Sequence, residues 1–334
     1  MRFGSFQILP LAANSSSRQL LQETLEEITA AETLGFDNVW LTEHHATPFG
    51  TCASPSVLAA AVAMRTHRVG IGFAVHVAPL HHPLRLAEEI ALVDQLSQGR
   101  VVAGLGPGYA PFEFALYGVD IEERHARLWE SVEVVLKAWR QEQFDHQGTY
   151  YKFHQASILP RPLQEPHPPL AIAATSSASV VRTARAGCRL LLLVDRQIIP
   201  GHLATYREAA QRAGVVPEQI ESNLRNTGIL RNIYVGREEG EAREEVRAAT
   251  AKLVRLRNRL AQTTPSETEL DGQLEQYLNQ RVIFGSPAKV REEIAALQAL
   301  GAGEVLCWFR WGDMSHLQVM ESMRLFAAEV MPNL

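Results

Sequence analysis

Four short segments carry side chains suited to chemistry. Glu43-His44-His45 sets a carboxylate beside two imidazoles. Histidine titrates near neutral pH, so the trio suits acid–base work, with His44 as the candidate catalytic residue. A structural reading, in which the histidines only hydrogen-bond at the end of a strand, stands beside it. No metal site is expected, because the chain has no HxH or HExxH spacing and the candidate carboxylates are not grouped. Thr175-Ser176-Ser177-Ala178-Ser179 opens a helix. Unpaired N–H groups and hydroxyls there suit a phosphate, although any helix start can use the same residues as a cap. Gly106-Pro107-Gly108-Tyr109 reads as a tight turn that lets a ligand approach the backbone. Tyr109, Trp308 and Trp311 supply aromatic surface, either for an apolar pocket or for packing.

These segments need elements to bring them together. Short β-like runs alternate with helical patterns: Arg2–Leu9, Phe36–Leu41, Val69–Val77, Arg100–Leu105, Leu170–Ala174, Arg189–Val194, Gly228–Val235 and Glu304–Phe309. The helix from Glu122 to Trp139 shows an apolar stripe of Leu128, Val132, Val135 and Trp139. Another spans Ser179–Ala186. Ser286 as N-cap, Pro287 at the first helical position and Gly301 as stop frame a late helix. The order predicts an α/β fold, a (β/α)8 TIM barrel in a single domain over residues 1–334. An open doubly wound sheet is disfavoured, because no GxGxxG follows the first strand. Residues 236–284 exceed one short connection. A charged helix, Glu239–Leu260, and a polar stretch, Ala261–Gly272, make this region an insertion before the eighth strand, read as a lid over the barrel mouth. The charged helix itself reads as a solvated face. In a barrel the site forms where strands end, and every candidate segment except the lid lies just past such an end.

Composition limits the classes. With 32 basic and 37 acidic residues and a net charge of -5, the chain lacks a nucleic-acid footprint. Its apolar runs fall short of a membrane span, and the three cysteines are widely spaced. A cytoplasmic location is the expectation.

Several ordered strings resemble the bacterial luciferase-like flavin-dependent monooxygenase family: Gly35 to His45, His82-Pro83 with Ala87-Glu88-Glu89, Leu92 to Arg100, Gly104 to Phe114, Tyr117 to Asp120, Pro160 to Pro169 and Gly285 to Val290. The resemblance spans almost the whole chain. It implies a barrel that commonly dimerises, here as a homodimer. It implies reduced FMN delivered by a separate flavin reductase, and O2 that forms a flavin hydroperoxide to oxidise a small organic substrate. His44 aligns with the family's catalytic histidine. Ala74-Val75 aligns with its non-proline cis peptide under the flavin ring. Pro107, Tyr109, Thr175, Ser176 and Ser179 fall on cofactor-binding positions. Pro107 stands where the family has an arginine that holds the flavin phosphate, so Arg85 or Arg182 would have to compensate. Thr175 stands where luciferase has a glutamate. These departures keep two alternatives in view: a deazaflavin-dependent hydride-transfer enzyme on the same barrel, and a non-catalytic flavin-binding or partner subunit.

Overall fold

Strand side chains alternate between two faces, and here the faces differ in kind. Gly104 and Gly228 share one face with Leu191 and Leu306, because a Cβ on Gly104 or Gly228 would strike the Leu191 side chain. Leu191 is not on a strand next to that of Gly104, so this face is the inside of a closed surface. The opposite face carries Val39, Leu41, Ile71, Phe73, Leu105 and Ile172, all buried under helices.

The computed structural model describes residues 1–13, 15–237 and 239–334. Eight parallel strands close a ring: β1 (Arg2–Gln7), β2 (Asn38–Leu41), β3 (Gly70–Phe73), β4 (Val101–Gly106), β5 (Leu170–Ala173), β6 (Arg189–Leu192), β7 (Gly228–Val235) and β8 (Glu304–Trp308). Each pairs with the next, and β8 returns to β1 with Arg2 opposite Glu304. This is the (β/α)8 barrel that the alternation predicts. At its floor, Glu304 accepts hydrogen bonds from Asn38 and Trp40, each at 2.8 Å, and pairs with Arg2 at 3.0 Å. Burial pushes this carboxyl up.

The helices are α1 (Ser17–Thr33), α2 (Pro55–Ala63), α3 (Pro83–Leu96), α4 (Pro111–Leu116), α5 (Arg124–Arg140), α6 (Ser177–Arg185), α7 (Ile199–Arg212), α8 (Pro217–Arg225), α9 (Glu239–Leu260), α10 (Glu267–Arg281), α11 (Pro287–Ala299) and α12 (His316–Leu325). The α5 stripe is buried as its spacing requires, and Trp139 Nε1 donates to Ala87 O at 3.1 Å. Ser286 caps α11, with Pro287 at the start. An antiparallel arm, Phe144–Gln147 with Lys152–Ala156, follows α5.

Three departures from the sequence reading have physical causes. The run Val69–Val77 breaks at a cis Ala74-Val75 bond, leaving β3 and a two-residue strand, His76–Val77. The polar stretch Ala261–Gly272 holds the start of α10, because Ser266 and Glu269 form a reciprocal cap. The short helices α4 and α8 each start on a proline at their first turn, a signal the reading passed over.

β6 ends early along β7. It pairs only with Gly228 and Ile229 of β7, and Val282–Gly285 takes its place beside Asn232–Val235. α9 is not merely a solvated face: Ala242, Val246, Ala249, Leu253 and Val254 are buried, and Thr250 Oγ1 accepts from Trp311 Nε1 at 3.1 Å.

Candidate functional site

The end of β2 delivers Glu43, His44 and His45 into a buried polar network. Glu43 accepts from His45 Nε2 at 2.8 Å, from His81 Nε2 at 2.8 Å and from the Val77 amide at 2.9 Å. Burial alone would raise its carboxyl, but these hydrogen bonds and the His81 charge hold it far below the usual carboxylate range. Burial would lower His81, yet contact with Glu43 raises it, so the two form an ion pair. His76 is fully buried, which lowers it to about 3, and its Nε2 shares a 2.9 Å bond with Ser56 Oγ. It is therefore neutral at pH 7.

The same carboxylate fixes the tautomer of His45. With Nε2–H donating to Glu43, Nδ1 is left to accept from the Tyr117 hydroxyl at 2.8 Å. His45 is thus a structural strut. His44 is held from the other side. Glu113 of α4, buried, accepts from His44 Nδ1 at 3.1 Å and from the His45 amide at 2.9 Å. His44 therefore donates from Nδ1, and its Nε2 has no partner among the described residues. Its ring packs edge-on to Phe49 at 4.9 Å and faces Tyr109 at 6.0 Å.

Beside this network the chain turns through the cis Ala74-Val75 bond, and both side chains remain half-exposed. β4 lies tightly against the bend. A Cβ on Gly104 would sit 1.6 Å from Phe73 O, and one on Gly106 would sit 2.5 Å from Val75 Cγ2. Pro107 is half-buried, and Tyr109 is exposed at the rim. Across from them, Ser176 and Ser179 form a reciprocal cap on α6. Their hydroxyls bond to each other at 3.0 Å and to backbone, and the Ser177 and Ala178 amides have no acceptor among the described residues. Thr175 is exposed, and its carbonyl accepts from His202 Nε2 at 3.4 Å.

A family model of luciferase-like monooxygenases matches residues 1–304. The chain belongs to that family. The match establishes it as an enzyme of the flavin-dependent monooxygenase group. An uncharacterized protein of Sinorhizobium fredii is 36% identical over 179 residues, 54% of this chain and 51% of that protein. The oxygenase component of the flavin-dependent trigonelline monooxygenase of Acinetobacter baylyi is 27% identical, covering 99% of this chain and 95% of that one. The solved structure of a Streptomyces bottropensis monooxygenase superposes with a TM-score of 0.88 at 29% identity, covering 100% of this chain and 99% of that chain. Two more distant structures share the fold: the oxygenating constituent of a Pseudomonas putida diketocamphane monooxygenase in complex with FMN (TM-score 0.82, 21% identity, 100% and 98% covered) and an F420-dependent secondary alcohol dehydrogenase (TM-score 0.79, 20% identity, 99% and 98% covered).

The barrel brings His44, Ala74, Val75, Pro107 and Tyr109 to neighbouring strand ends at one mouth. Trp311 is not part of it, being fully buried against α9. Arg310 is tied to Glu23 and Glu27 of α1. Neither suggested replacement for the family arginine stands free: Arg85 pairs with Glu89 at 2.8 Å, and Arg182 lies over Trp129 at 4.7 Å. The sequence reading missed Glu113 as the partner of His44. Its signal is a lone carboxylate two residues past the helix-starting Pro111, in a helix too short to show periodicity. Among the described residues no group of three or more His, Cys, Asp or Glu side chains is arranged to hold a metal ion. None of the helices described is long and apolar enough to cross a membrane.

Proposed function

We propose that this chain is the oxygenase half of a two-component system: it receives reduced FMN from a separate flavin reductase and uses O2 to oxidise a small organic molecule. The observation that carries this reading is His44, locked by Glu113 through Nδ1 with Nε2 unengaged. Such a histidine can take a proton from a reacting centre and return it.

The residues present fit a flavin. Ala74 and Val75 offer an apolar platform that glycines on β4 keep clear of side chains. The free amides at the start of α6 suit a phosphate. Reduced flavin, when bound, supplies the two electrons that activate O2. The chain supplies the rest. Val75 and Tyr109 limit water, the Glu43–His81 pair stiffens the bend beneath the platform, and His44 Nε2 holds or moves a proton at the reacting atoms.

A second reading, hydride transfer from a deazaflavin, is favoured by one feature, Pro107 in place of a cationic residue. Oxygen uptake separates the two. With reductase-generated reduced FMN, the wild-type protein should alter flavin reoxidation, and His44→Ala should lose that effect while still binding flavin. Tight binding of reduced F420 with indifference to reduced FMN would overturn the proposal.

We place a second copy of the chain on the face formed by α2 and α3, where Val57, Met64, Leu92 and Leu96 are exposed and apolar. Light scattering should give twice the chain mass, and Met64→Lys should lower it. We also assign residues 236–284 as a lid, because α10 reaches the barrel mouth through Tyr277.

A further inference from the structure

One side of the mouth is built from donors. Asn232 of β7 shares the inward face with Gly228 and pairs in register with Trp308 of β8. Trp308 meets Phe49 edge-on at 6.3 Å, Phe49 meets His44, and His44 meets Tyr109. The insertion closes the circuit. Tyr277 of α10 donates to Asn232 Oδ1 at 2.9 Å, and the Arg257 guanidinium of α9 lies 5.4 Å from the Tyr277 ring centre. The Arg257 charge acts on both the Tyr109 and Tyr277 phenols.

Two groups in this circuit stand apart among the described residues: Asn232 has an amide donor without an acceptor, and Arg257 rests on the Tyr277 side chain without a counter-charge. Asn232 is 1% exposed, yet its Nδ2 has no acceptor among the described residues. A buried amide donor left unpaired keeps its desolvation cost uncompensated, which a ligand acceptor would relieve. Arg257 is half-buried and has no carboxylate within ion-pair distance among the described residues. In the insertion Arg247 pairs with Glu275, Lys252 with Asp313 and Arg281 with Asp195. The α9 cations that share the lack of an ion pair among the described residues, Arg243, Arg255 and Arg259, are exposed where Arg257 is half-buried. The nearby Glu113 is already engaged by His44 and His45. The walls between these donors are aromatic.

We propose that the substrate is a flat organic anion, an aromatic carboxylate, whose charged end is held by Arg257 and Asn232 while its ring lies between Tyr109 and Trp308, facing His44. Arg257 is then the specificity-determining residue, and the insertion is the element that selects the substrate. The proposal deepens the oxygenase reading and rests on it for the word substrate, but the binding preference is measured without turnover.

The test uses the full chain loaded with oxidised FMN, with 2-naphthoate and its neutral amide as probes in calorimetric titrations. Wild-type protein should bind the acid at least tenfold more tightly than the amide. Arg257→Met should abolish that preference at an unchanged thermal midpoint, and Arg257→Lys should keep part of it. FMN and riboflavin affinities should each stay within twofold in Arg257→Met. Equal binding of acid and amide by the wild type would overturn the proposal, as would a preference that survives Arg257→Met. A loss of FMN but not riboflavin affinity in Arg257→Met would also overturn it, by assigning Arg257 to the cofactor phosphate. A retained preference in a protein that leaves reduced FMN untouched would sink the oxygenase reading alone.

Discussion

His76 ties the stability of the bend beneath the site to pH. Its folded-state value is about 3 against about 6.5 in an unfolded chain, because burial disfavours the charged ring. A group depressed in this way binds its proton first in the unfolded state, so stability falls as pH drops below about 6.5 and goes on falling to about 3. The limiting cost is about 5 kcal/mol, of which about 1.4 kcal/mol is lost by pH 5.5 and about 2.7 kcal/mol by pH 4.5. His81 and His316 are raised, so their stabilisation is complete below about 6.5 and is lost only on the alkaline side. They oppose the trend weakly between pH 7.5 and 6.5. Glu43 is depressed, so its contribution persists until pH falls below about 4.5. His125 and His167 are lowered and add to the acid loss, which makes the variant comparison decisive. Urea unfolding at fixed ionic strength, at pH 7.5, 6.5, 5.5 and 4.5, should show the loss in the wild type. His76→Gln, which can keep a donor near Ser56, should flatten it by about one proton's slope, roughly 1.4 kcal/mol per pH unit at the steepest. An identical slope in the two proteins would refute the assignment of a buried neutral His76.

Two further perturbations probe the site. Glu113→Gln keeps the shape but removes the charge-assisted bond that sets the His44 tautomer, worth about 1.5–3 kcal/mol. Turnover measured by oxygen uptake should drop roughly 10- to 100-fold with flavin affinity unchanged, and the conservative Glu113→Asp should restore part of it. Gly104→Ala would force a methyl to within 1.6 Å of Phe73 O. It should destabilise the chain by about 1–3 kcal/mol or more, read as a lowered thermal midpoint, and an unchanged midpoint would mean that β4 is not pressed against the bend.

Much of the fold was legible because barrel strands alternate so regularly with helices. Gly228–Val235 was bounded to the residue, and α9 likewise, since caps and periodicity act within a few residues. The candidate site was legible where it lies in one contiguous string, as with Glu43 to His45. It was opaque where partners come from far along the chain. His44 needs Glu113, 69 residues on, and Asn232 needs Tyr277, 45 residues on. No local propensity encodes such a meeting. Trp311 shows the converse, since its sequence position beside a strand end is equally compatible with the mouth and with the packed interior, and only the course of α9 decides.

Control of the reaction of reduced FMN with oxygen by this barrel is read from an anaerobic titration with reduced FMN followed by an oxygen pulse, with flavin absorbance followed in time. Saturable binding should delay the return of the oxidised-flavin spectrum at least tenfold relative to free reduced FMN, and His44→Ala should shorten the delay. Reoxidation at the rate of the free flavin despite demonstrated binding would contradict that control.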